Sequence, residues 1–113
     1  MTEVEALVLS AILEAPVAYG LVRWRRWPGR GAAHAAVASA VATAVTHPQL
    51  WALIPWLTTW IGWPGAVAAG EGLVVAIEAG LIAWMAGLAP RHALAVSAAA
   101  NAVSLAVGLA LGG

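Results

Sequence analysis

The sequence predicts an all-α fold, a four-helix transmembrane bundle forming one membrane domain over residues 1–113. Two observations carry that prediction. Apolar residues make up 63% of the chain and charged residues 9%, whereas a soluble domain carries about 25% charged residues. A chain this short cannot cover so much apolar surface with itself, so the rest must face lipid. The apolar residues also fall into segments of about the 20 residues a span needs, separated by clusters of Pro, Gly and Arg.

Each element can be justified in turn. Residues 4–22, 66–88 and 93–111 are long enough to span. Residues 32–46 are Ala-rich and shorter, but only they can return the chain across the bilayer. Glu3 and Glu5 stand where a signal peptide carries positive charge, which argues against secretory processing. Arg23, Arg25, Arg26 and Arg30 lie in the first connection and Arg91 in the third, with no basic residue in the second. The positive-inside rule then places connections one and three in the cytoplasm and both termini outside. The expected location is a prokaryotic cytoplasmic (inner) membrane, crossed several times.

The second connection, 48–64, holds Pro48, Pro55 and Pro64 with Trp51, Trp56, Trp60 and Trp63. The prolines argue against a continuous span. The tryptophans suit the headgroup level, so a short interfacial helix is expected over about 49–60. These rings either anchor the protein or cover an outward opening.

The two halves resemble each other. Leu13-Glu14-Ala15-Pro16 parallels Ile77-Glu78-Ala79-Gly80, and Ser39, Thr43 and Thr46 share the spacing of Ser97, Asn101 and Ser104. Two hairpins related by a parallel pseudo-twofold along the membrane normal would explain this.

Helical rise sets the depth of the polar residues. Glu14 lies about 14 Å from Arg23, Glu78 about 18 Å from Pro90, and Asn101 about 15 Å from Arg91. All three fall near the midplane, where a carboxyl must be protonated, paired or coordinating and is a functional candidate. Ser97, Asn101 and Ser104 share one helical face, and Thr43 occupies the matching place in the second span. His47 and Glu71 fall near the outer surface, as candidate entrance residues to a site built from Glu14, Glu78 and Asn101. Asn, Ser and Thr in spans also serve as plain interhelical hydrogen bonds, so the polar set is either a site or a structural cluster.

Two resemblances follow from these residues. Four spans with Glu14 in the first look like the small multidrug resistance exporters, in which such a Glu exchanges protons for a cationic drug. Glu71, Glu78 and the arginine bias depart from that pattern. The combination of Glu14-Ala15-Pro16, Thr46-His47-Pro48 with Trp51, Glu71 with Glu78, and Ser97, Asn101 and Ser104 is similar to a group of small prokaryotic four-span membrane proteins. That resemblance covers nearly the whole chain and implies no activity.

Composition narrows the function. Five Arg, no Lys and zero net charge provide no footprint for nucleic acid. Without cysteine there is no disulfide. Cofactor and metal are both unknown from the sequence. An intramembrane metalloenzyme using His47, Glu71 and Glu78 would lack an HExxH motif, so an enzyme is the less favoured expectation. Two readings remain. One is the binding or movement of a proton or small cation through the buried carboxyls, in a homo-oligomer. The other is an accessory or assembly subunit of a larger membrane complex, with the lipid bilayer as the common partner.

Overall fold

The computed structural model describes residues 2–111. They form three helices, α1 (Glu3–Arg25), α2 (Ala32–Ala86) and α3 (Pro90–Ala110). All three are long and apolar enough to cross a membrane. The all-α expectation agrees, but the four-helix bundle is corrected to three helices. The segments expected as two spans with an interfacial helix between them are one element, the 55-residue α2. The architecture of two separate two-helix hairpins is corrected with it.

The physical reason lies in the prolines. Pro48 and Pro55 each remove one backbone donor, yet the helix runs through both. Prolines are tolerated in membrane helices because neighbouring groups and local adjustments satisfy the freed carbonyls. The break falls instead at Gly62, with φ 79° and ψ 165°, a conformation essentially confined to glycine. Pro64 then sits in the first turn beyond the break, where its missing N–H costs nothing.

A straight helix of that length would extend about 82 Å, while the whole molecule is 42 Å long. The two arms of α2, before and after Gly62, therefore lie side by side. Gly70 permits their contact, since a Cβ there would stand 2.8 Å from Leu50 Cδ1. The connection leading into α2 also meets the far end of that helix, where Arg30 N donates to Ala86 O at 2.8 Å.

Local signals explain the helix ends. Thr2 caps α1 by accepting from Glu5 N at 3.1 Å. Arg26 and Gly87 close α1 and α2 in the left-handed conformation, and Pro90 opens α3. Every arginine falls at or next to the end where these connections lie, called here the arginine end.

The exterior is apolar and part of the interior is polar. Val8, Ile12, Val37, Val45, Leu73 and Ile77 are exposed, while Glu14, Ser39, Thr43, Glu78, Ser97 and Asn101 are buried. Lipid as the surrounding solvent accounts for both halves of that inversion. The apolar core, mainly Ala18, Ala35, Ala38, Ala42, Ala86 and Ala93 with Val22, Ile82, Leu88 and Val96, occupies the arginine end. Alanine lets the helix backbones approach closely.

Candidate functional site

Above that core the helices part around a cavity of about 420 Å³. Glu14 reaches it from α1, Thr43, Thr46 and His47 from the first arm of α2, Glu71 and Glu78 from the second arm, and Asn101 and Ser104 from α3. Every candidate named from the sequence except Ser97 lines this one space. Ser97 lies behind it, donating to Val75 O at 2.8 Å while its own carbonyl accepts from Asn101 Nδ2 at 2.8 Å. Ser97 therefore fixes the orientation of Asn101.

The two mid-depth carboxyls are each 2% exposed. Glu78 receives the Asn101 amide on Oε1 at 2.7 Å and faces the Thr46 hydroxyl on Oε2 at 2.5 Å. Glu14 Oε1 accepts from Thr43 Oγ1 at 3.1 Å. Ser104 stands close to Glu14, but in hydrogen-bonding geometry it donates to Ser10 Oγ at 3.0 Å. Both carboxyls line the same cavity.

Thr46 has a single proton and two acceptors, Glu78 Oε2 and Ala42 O, the latter at 3.0 Å. A hydroxyl can both donate and accept. With Glu78 ionised, Thr46 donates to the carboxylate. With Glu78 protonated, the acid donates to Thr46, which turns its proton to Ala42 O. Both charge states of Glu78 thus have a hydrogen-bonded arrangement without moving a helix.

The four tryptophans of the former connection divide into two pairs. Trp51 and Trp63 line the cavity beside Pro55 and Ile54. Trp56 and Trp60 stand outside it. All four rings are exposed, Trp51 and Trp63 at 40% and 51% and Trp56 and Trp60 at 59% and 73%, as anchors at the bilayer surface would be. His47 tilts against Trp51, with ring centroids 6.1 Å apart, and its Nε2 is buried without a hydrogen-bond partner.

Two contributors were not singled out as site residues from the sequence. Ser10 is four residues before Glu14, on the same helical face. Thr46 was visible as a member of a spaced triplet and of Thr46-His47-Pro48, without a role at the site. No three His, Asp or Glu side chains among the described residues stand close enough to hold a metal ion. No family model, curated protein or solved structure matches the chain.

Proposed function

We propose that the chain is a multi-pass protein of a prokaryotic cytoplasmic membrane that binds a proton or small cation at Glu14 and Glu78 and moves it across. In this reading the arginine end lies inside and both termini outside. The observation that supports it is the convergence of two buried carboxyls, Asn101 and His47 on one cavity with no arginine in its wall. Neighbouring carboxyls cannot both ionise cheaply, so they share a proton or a cation.

The cavity does not continue through the arginine end. About 12 Å of packed helix separates Glu14 from Val22, and that stretch holds the alanine core. Movement across the membrane therefore requires the helices to open alternately toward each side. A carrier fits this arrangement and a standing pore does not.

Flux into liposomes tests the function. Glu78→Gln keeps the shape, accepts from Asn101 through its amide oxygen and donates to Thr46, so the fold should survive while proton or cation flux is lost. Unchanged flux in this variant would overturn the reading. The accessory-subunit reading would then take its place, resting on the exposed stripe Val37, Val41 and Val45 of α2 as a docking face. The orientation is tested by single cysteines at Thr2 and Thr58, which should react with impermeant reagents added outside intact cells. Labelling only from inside would invert the topology.

A further inference from the structure

The five arginines share one end of the molecule, and no acidic side chain stands among them. The acidic residues are Glu3, Glu5, Glu14, Glu71 and Glu78. Glu14 precedes Arg23 and Glu78 precedes Ala86 by enough helix to stand about 12 Å or more deeper. Three of the arginines are engaged within the protein. Arg23 Nη1 donates to Tyr19 Oη at 3.1 Å, Arg25 lies over the Trp24 ring at 5.4 Å, and Arg30 Nη1 donates to Met85 O at 2.8 Å. Arg26 and Arg91 are exposed, and their guanidinium groups have no such partner among the described residues.

The fold brings these two together. Trp27 stacks on His92, with centroids 4.4 Å apart and planes 9° from parallel. The residues that precede them, Arg26 and Arg91, therefore flank one notch between the end of α1 and the start of α3. That start has no side-chain cap. Pro90 has no N–H, and His92 N and Ala93 N both donate to Ala89 O. Among the described residues no group accepts the Arg91 N–H, and an unfilled helix start of this kind attracts an anion. His92 Nδ1, in the stack, is also covered without a hydrogen-bond partner. Two guanidinium groups and an unpaired backbone donor are thus gathered where the protein itself supplies no anion.

The level of the notch decides which anion it meets. Trp24 and Trp84, at this end, are 73% and 77% exposed, as rings at headgroup depth are. Beyond Arg91 the same face of α3 continues with Leu94 and Ala98, both exposed. We propose that the notch between Arg26 and Arg91 binds the phosphate of an anionic phospholipid, one per chain. The two guanidinium groups and the Arg91 N–H donate to the phosphate oxygens, and an acyl chain lies along Leu94 and Ala98. The Trp27–His92 stack keeps the arginines in register. No carboxylate stands nearby to hold a choline ammonium, so the headgroup is the anionic kind. The site is independent of what Glu14 and Glu78 hold.

The test uses the full chain in mild detergent, with phosphatidylglycerol or phosphatidylcholine added and bound lipid counted by native mass spectrometry. One phosphatidylglycerol should be retained per chain, at least about fivefold more tightly than phosphatidylcholine. Arg91→Gln and Arg26→Asn should each weaken phosphatidylglycerol about fivefold, the scale of one arginine at an anionic surface. Neither should change phosphatidylcholine. Asn suits position 26 because Arg26 closes α1 in the left-handed conformation, which Asn adopts readily. Arg23→Gln removes the same charge from the same end, but from a side chain engaged with Tyr19, and should leave the affinity unchanged. Arg91→Lys should recover most of the binding, and helical circular dichroism shows that each variant folds. Equal losses in Arg23→Gln and Arg91→Gln would reveal a diffuse charge effect and overturn the site. Equal retention of the two lipids would overturn it too. Displacement of phosphatidylglycerol by an equal concentration of inorganic phosphate would assign the notch to a free anion and overturn the lipid.

Discussion

At the arginine end, Ala18, Ala35, Ala38, Ala86 and Ala93 are fully covered and the helices meet backbone to backbone. At the other end of the same helices, larger residues such as Leu50, Ile54 and Leu105 surround a cavity. The closed end is also clasped by its connections. Arg30 Nη1 donates to Met85 O at 2.8 Å, and Trp27 stacks on His92 with centroids 4.4 Å apart. At the open end the contact between α1 and α3 includes one hydroxyl pair, Ser10 and Ser104. Small residues dominate where all the helices pack closely, and at the other end bulkier ones line the cavity, with Leu50 and Ile54 also packing on Gly70 between the arms of α2. In lipid that order is expected, because helix association rests on close packing rather than on expelling water. The carboxyls lie on the boundary between the two regimes, each 2% exposed yet lining the cavity.

The largest expected effect comes from overfilling the closed end. Ala38 is 0% exposed, so Ala38→Leu must displace packed backbone and should cost about 3 kcal/mol, the upper part of the usual overpacking range. Reversible unfolding in mixed detergent micelles measures it. A loss below about 0.5 kcal/mol, the scale of an ordinary surface change, would mean that this end is not closed.

Next comes the turn between the arms of α2. Gly62→Ala places a side chain where φ is positive although the space around it is empty, so the cost is conformational, about 2 kcal/mol. The same measurement applies, and Gly72→Ala, also in open space but without the positive φ, is the control. Equal stability of the two variants would show that the arms do not depend on this break.

These two sites also show what the sequence could reveal. The apolar segments were legible because lipid imposes length and composition together. The polar set was legible because helical rise brings Glu14, Glu78 and Asn101 to one depth, and in the structure they line one cavity. The number of helices was not legible. Pro48, Pro55 and Pro64 suggested a segment set off from both spans, with its own helix over about 49–60. The helix instead continues through Pro48 and Pro55 and breaks at Gly62, just beyond the expected end of that short helix. The division of Trp51 and Trp63 from Trp56 and Trp60 also depends on which way a continuous helix turns, so treating the segment as a separate connection hid it. Ser10 was available from its spacing to Glu14 but carries no charge to draw notice.

The smallest effect should be at the open end, and its size decides how far the contrast holds. Ser104 Oγ donates to Ser10 Oγ at 3.0 Å, joining α1 to α3 beside Glu14. Interhelical hydrogen bonds of this kind average about 0.6 kcal/mol in membrane proteins, because the separated helices find other partners. A double-mutant cycle with Ser10→Ala and Ser104→Ala removes the pair without changing volume much, and its coupling energy should fall near that average. A coupling above about 1.7 kcal/mol, the largest value usual for such bonds, would mean that the open end is clamped as firmly as the closed one. The helices could not then part there to exchange a bound cation. A coupling at or below the average leaves α1 free to move against α3 while the alanine core holds, which is the motion an alternating carrier needs at this end.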